Sequence, residues 1–250
     1  MHALINFGFR QYKVSFSEPL DISIPLQAGD DSVNAFYAPP FEISPVQAGD
    51  FIGSVKAGGC LNFFNVKFNP HGNGTHTECV GHIAEGYTIH KCLKKFFFLA
   101  ELVSIFPARL ENGDEVILRE DIEKKLRGAR PEALIIRTLP NDLLKLKKNY
   151  SGKNPPYLQA DAATLLVEKN IRHLLVDLPS VDREVDGGKL AAHKIFWQYP
   201  RGIRKDATIT ELVFVPTEIA DGTYLLNLQI ASFELDASPS KPVLYKLTEA

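Results

Sequence analysis

Cysteine is scarce in this chain. Only Cys60, Cys79 and Cys92 occur among 250 residues, and no C-x-x-C pair exists. That argues against a disulfide framework or a redox dithiol motif. It points to three reduced thiols in a cytoplasmic protein. Excess charge of one sign is missing as well. The chain has 28 Lys and Arg against 30 Asp and Glu, for a formal net charge of −2. No electrostatic footprint for nucleic acid or for an anionic membrane is present. No apolar run reaches the length of a membrane span. Met1 to Phe7 lacks the basic start and long apolar stretch of a signal peptide. Repeats and low-complexity tracts are also absent. What remains is an ordinary globular composition, 45% hydrophobic and 23% charged. A chain of this length can bury a large core without staples.

The pattern of apolar residues predicts a mixed α/β domain. Pro25 to Pro45 is rich in Gly, Asp, Ser and Pro and reads as a long surface loop or arm. Leu61 to Phe68 alternates like a strand, which would place a buried strand just before the loop that follows it. Phe96 to Ile105, Ala133 to Thr138 and His173 to Pro179 are apolar runs that predict buried strands. Arg119 to Arg127 predicts a helix, with Ile122 and Leu126 four apart and Gly128 as the stop. A second helix is expected from Asp161, as its cap, to about Asn170. Strand, helix, strand in that order predicts a parallel crossover. From Glu211 to Leu247 the pattern predicts strands separated by Asp221-Gly222 and by Ser238 to Lys241.

Chemistry concentrates in one segment. Three of the seven histidines fall in His71-Gly72-Asn73-Gly74-Thr75-His76-Thr77-Glu78-Cys79-Val80-Gly81-His82. On an extended chain, side chains two apart point the same way, so His76 and Glu78 can converge on one point. An imidazole and a carboxylate together suit zinc, manganese or iron. Glycines at 72, 74 and 81 are expected to let the backbone turn tightly there. Cys79 has the opposite parity and reads as packing. Asp177 and Asp182 follow a predicted strand and read as capping or supporting groups. His90 and His173 have no partner motif. Lys91 to Lys95 and Lys145 to Lys148 read as solvated faces, and Phe196, Trp197 and Tyr199 as core or pocket lining. Ser180 lacks a G-x-S-x-G context, which argues against a serine hydrolase.

Gly74 to His82 resembles the G-T-H-x-D-x-P-x-H signature of the cyclase family of metal-dependent hydrolases, which includes the bacterial kynurenine formamidases. Asp21-Ile22-Ser23-Ile24-Pro25-Leu26, Leu134-Ile135-Ile136-Arg137-Thr138 and Asp177-Leu178-Pro179-Ser180-Val181-Asp182 are similar to further segments of that family. The resemblance spans roughly residues 18 to 245. Glu78 stands where the family has Asp, and Val80 where it has Pro. The spacings from His71 to His76 and from His193 to Glu211 are longer than the family's.

The resemblance implies a single sheet-rich domain over 1–250, similar to the family's swivelling β/β/α-like fold. It implies metal ligands at His71, His76, Glu78, His193 and Glu211, holding one or two zinc or manganese ions. His82 would be the acid/base. A bound divalent metal lowers the pKa of its water towards about 7, so hydroxide can attack a small amide, formamide or cyclic amide. A nearby histidine can then move a proton to the leaving nitrogen. The partners implied are a small-molecule substrate and a second copy of the chain, with residues 25–50 as a candidate exchange arm. Two rival readings stand beside this one: a non-catalytic small-molecule or metal-binding protein on the same scaffold, and a purely structural zinc loop.

Overall fold

The strongest apolar runs become the walls of a barrel. The computed structural model describes residues 1–29 and 31–249. The barrel strands are β1 (His76–Glu78), β2 (Phe97–Ile105), β3 (Ala133–Thr138), β4 (His173–Val176), β5 (Thr208–Glu211), β6 (Gly222–Ile230) and β7 (Ala237–Glu249). Their order is β7-β6-β2-β3-β4-β5-β1, and β1 pairs back onto β7 to close the ring. Strands β2, β3, β4 and β5 run parallel, and the other pairings are antiparallel. The outer end of β7 continues into a hairpin of His2–Phe7 and Arg10–Ser15.

Alternation along the strands divides the core into two layers. Ala100, Leu102, Ala133, Ile135, Leu175 and Leu226 fill the barrel. Leu134, Ile136, Leu174, Val176 and Ile209 face outward and carry the helices α1 (Arg119–Leu126), α2 (Ala160–Glu168) and α3 (Ala191–Phe196). A strand buried on both faces has no polar side to show, which is why β3 and β4 read as continuous apolar runs. Ile122 and Leu126 are the buried stripe of α1, as their spacing predicts. The chain runs from β3 through α2 to β4, and β3 and β4 are parallel, as expected. Arg137 faces into the barrel at one mouth and closes it. Its guanidinium donates to Ser104 Oγ, the carbonyls of Pro216 and Ile219, and Asp221, at 2.8–3.2 Å.

Several expectations are corrected. The strand in Leu61 to Phe68 is shorter, Phe64–Lys67, and all its residues are exposed. It pairs with Glu42–Pro45 in a two-stranded ribbon outside the barrel, so the strand just before the His-rich loop is exposed rather than buried. Alternation reports two different faces but not which face is covered. Asp161 lies in the first turn of α2, and Gln159 takes the cap position. Glu211 ends β5 rather than opening a strand, and Ser238 to Lys241 lie inside β7. The Ser-Pro composition there marks a handover. Residues 237–239 pair with β1, and Ser240 begins the pairing with β6. Proline is tolerated where a ladder changes partner. Lys145 is not solvated. Its ammonium lies 2.8 Å from the buried Asp177 and also donates to Thr138.

Candidate metal and active site

The His-rich segment folds as a cap, a short helix and a strand. Asn69 accepts from the backbone N–H groups of His71 and Gly72, and Pro70 opens the short helix Pro70–Asn73. This raises the His71 ring over the start of β1. Thr75 then ties the segment down on both sides. Its hydroxyl accepts from Ile24 N–H at 2.7 Å and donates to the Leu212 carbonyl. The early D-I-S-I-P-L segment is thereby fixed beside the site. The glycines serve close approach rather than turning. None of the three lies in the left-handed region of φ, whereas a Cβ would strike Ala38 at Gly72 and the Tyr87 carbonyl at Gly81.

Strand pairing brings the carboxylates to the imidazoles. His76 lies opposite Glu211, and Glu78 opposite Ile209, in the β1–β5 ladder. All six residues singled out from sequence converge. His76 Nε2 lies 3.4 Å from Glu211 Oε2. Glu78 Oε1 is 3.1 Å from His193 Nε2, and its Oε2 is 3.2 Å from His71 Nδ1 and 3.7 Å from His82 Nδ1. His193 Nε2 stands 4.0 Å from Glu211 Oε1. Asp182 serves both supporting roles expected of it. It accepts from the Ala192 and His193 backbone N–H groups at the start of α3, and from His193 Nδ1 at 2.6 Å. Glu211 Oε1 accepts from Val181 N–H. Cys79 packs into the barrel interior, and Phe196 and Trp197 into the layer beneath α3. His90 lies 3.3 Å from Glu234 at the surface.

One residue was not legible. Asp236 sits just before β7 and accepts from His71 Nε2 at 2.9 Å and His82 Nδ1 at 3.2 Å. It belongs to no motif, and only barrel closure carries it to the cluster.

The electrostatics follow from this crowding. Burial pushes the Glu78 carboxyl up, but His82, His193 and His71 outweigh it and hold the group well below the ordinary carboxylate range. Burial opposes charge on His71, yet Asp236 and Glu78 push its pKa up to about 10. For His193, Asp182 and Glu78 likewise overcome burial and push it up to about 10. Glu78 raises His82. Hydrogen bonds from His71 and His82 hold Asp236 far below its usual value.

The donor set fits a divalent metal. His76 Nε2 and Glu78 Oε2 are buried atoms without a hydrogen-bond partner among the described residues. His76 Nδ1 is 3.1 Å from the Gly74 carbonyl, which leaves the Nε2 lone pair aimed at the cluster when Nδ1 donates. Buried polar atoms without a hydrogen bond are costly; Glu78 Oε2 has only ion-pair contacts to His71 and His82, and a cation would satisfy both atoms. His71, His76 and Glu78 offer one compact ligand group, Glu78, His82 and His193 a second, and His71, His82 and Asp236 a third. Imidazole with carboxylate suits zinc or manganese, and the Asp182–His193 pair is the usual outer support of such a ligand. A cavity of about 510 Å³, lined in part by Phe36, Tyr37, His71, His82, Arg183 and His193, opens over the cluster.

Comparison with known proteins agrees. The family described as "Putative cyclase" matches residues 20–183. "Kynurenine formamidase" of Bacillus thuringiensis (strain Al Hakam) is 30% identical over 236 residues, which cover 92% of this chain and 96% of that protein. That of Bacillus anthracis is 29% identical over 235 residues, with the same shares. Among solved structures, isatin hydrolase A from Ralstonia solanacearum superposes with a TM-score of 0.68 at 13% identity, covering 91% of each chain. A predicted metal-dependent hydrolase from Bacillus stearothermophilus gives 0.64 at 17% identity, covering 91% of this chain and 98% of that one. At these identities the structures speak for the fold alone, whereas the sequence matches extend along nearly the whole chain. The chain therefore belongs to the cyclase family and is a hydrolase of the amidohydrolase kind found there.

Proposed function

We propose that this protein uses a divalent metal, zinc or manganese, to hydrolyse the C–N bond of a small amide, formamide or cyclic amide. The observation that carries the reading is the convergence of buried imidazole and carboxylate ligand atoms, with His76 Nε2 left without a hydrogen bond among the described residues. His71, His76, Glu78, His193 and Glu211 would hold one or two ions. When bound, such an ion supplies Lewis acidity that polarises a carbonyl and acidifies water.

The chain's own residues do the rest. Asp182 accepts from Nδ1 of His193 and so turns Nε2 towards the cluster. The Gly74 carbonyl does the same for His76. His82 is the acid/base. Asp236 holds its Nδ1 at 3.2 Å, and Nε2 has no protein partner among the described residues. A proton on that nitrogen can pass to the leaving amine from the cavity wall. Phe36 and Tyr37 at the rim support a flat substrate such as an N-formyl arylamine, in keeping with the names of the curated relatives.

The test is metal content followed by turnover of N-formylkynurenine and isatin. Bound zinc or manganese, with hydrolysis reduced by about 10²–10⁴-fold in His82→Ala, is the expected result. Ligand returned chemically unchanged by metal-loaded protein would favour a binding protein instead.

The same reading includes a homodimer. Ile43, Phe51, Val55, Leu61, Phe63 and Phe64 are exposed on the segments just before the site. Exposed apolar side chains in such number support an interaction surface there. Light scattering at the mass of one chain would refute it. Three free thiols support a reducing, cytoplasmic setting.

A further inference from the structure

The barrel has a second mouth, where β3, β4 and β5 begin. It lies away from the histidine cluster: Glu211 ends β5 three residues beyond Thr208, or roughly 10 Å along the strand. A cavity of about 450 Å³ opens at this mouth.

Its floor is the ring of His173, which is 3% exposed. The ring lies against Phe98 with centroids 3.9 Å apart. His173 Nδ1 is 2.9 Å from Thr208 Oγ1, and Nε2 has no hydrogen-bond partner among the described residues. Burial pushes this imidazole down to about 3, so it is neutral. When Thr208 donates to Nδ1, the single ring proton sits on Nε2. The cavity then has an unused N–H donor beside an apolar floor, and Tyr87 and Leu93 line it further.

The rim is cationic in a chain whose net charge is −2. Lys91, Lys94, Lys95, Arg172 and Lys205 line the cavity, against Glu132 and Asp206. Arg172 is taken up by Asp206 at 2.8 Å, and Lys91 by Glu234 at 3.0 Å. Lys94 donates to the His90 carbonyl. Lys95 and Lys205 have no ion-pair partner among the described residues.

We propose that this mouth is a binding site, separate from the histidine cluster, for a small organic anion with a flat apolar body, such as an aryl carboxylate. The body packs against the apolar lining, Phe98, Tyr87 and Leu93. The carboxylate takes the N–H of His173 Nε2 and the charge of Lys95 and Lys205. A neutral buried donor with cations at the rim favours an anion without trapping a buried charge of its own.

The test is histidine ring NMR of the intact protein during titration with benzoate and, separately, with benzamide. The His173 signal is the one that disappears in His173→Gln. Benzoate is expected to shift it saturably, with a dissociation constant on the order of 1 mM for so small a ligand. Benzamide, and benzoate with Lys95→Glu/Lys205→Glu, are expected to bind at least about tenfold more weakly. The other histidine signals report whether the surface variant remains folded. A His173 signal indifferent to benzoate, equal binding of benzamide, or undiminished binding by the folded double variant would each overturn the proposal. None of these readouts depends on hydrolysis or on metal at the other site.

Discussion

Replacing Glu78 with glutamine keeps the shape of the side chain and removes a charge that three imidazoles share. Glu78 is wholly buried, 3.1 Å from His193, 3.2 Å from His71 and 3.7 Å from His82. In the metal-free protein at neutral pH, breaking such a pair costs about 3–5 kcal/mol. Asp182 still faces His193 and Asp236 still faces His71, so the lower end, about 3 kcal/mol, is expected. For a chain of this size that lowers Tm by roughly 6–12 °C. The pH dependence changes as well. His71 and His193 are raised to about 10 in the folded state. Stability from their protonation is complete below their unfolded value, about 6.5, and is lost as pH rises towards 10. Glu78 and Asp236 are depressed, so their contribution is present above about 4 and is lost on further acidification. Metal-free wild type is therefore expected to be most stable between about pH 5 and 6.5 and to weaken on the alkaline side. The glutamine variant should start lower and weaken less. Thermal melts of both metal-free proteins across this range decide the matter. A variant melting within about 2 °C of wild type, with the same alkaline slope, would refute the reasoning.

Metal loading near pH 8 should displace about two protons, from His71 and His193. Calorimetry in buffers of different ionisation enthalpy measures this, and heats independent of buffer would count against it. Asp182→Asn should lower metal affinity by about 10–100-fold, because Nδ1 of His193 loses its carboxylate. Unchanged affinity in a chelator competition would mean that Asp182 does not orient the ring. Arg137→Met should cost about 1–3 kcal/mol by leaving the Pro216 and Ile219 carbonyls without their donor, while Asp221 keeps Ser104 and Lys125. Metal affinity should survive it, since Arg137 sits at the barrel mouth and not in the cluster; loss of both together would contradict that separation.

The local elements were legible where one physical signal dominates. Ala133–Thr138 was predicted to the residue, because a strand covered on both faces must be apolar throughout. The ribbon strand Phe64–Lys67 departs from the buried strand its alternation predicts because its alternating apolar side chains are all exposed. The site was legible as a set of ligands. His71, His76, Glu78, His82, His193 and Glu211 all reach one cluster, across 140 positions of chain. Asp236 was not, since Phe233 to Asp236 carries no periodicity and no motif. The basic mouth over His173 was equally hidden, because its cations come from separate segments, none of them unusual alone.

The sequence by itself determined the class of chemistry, because imidazoles and carboxylates at fixed short spacing have few other uses. It also determined the buried strands and the amphipathic helices, whose periodicity is a local property of the chain. Only the tertiary structure decided that the sheet closes, that Asp236 joins the cluster, and that Asp182 rather than Asp177 orients a ligand. Those outcomes depend on pairings between residues far apart in sequence, and on burial, which sets both the charge of each imidazole and the cost of leaving any donor unpaired.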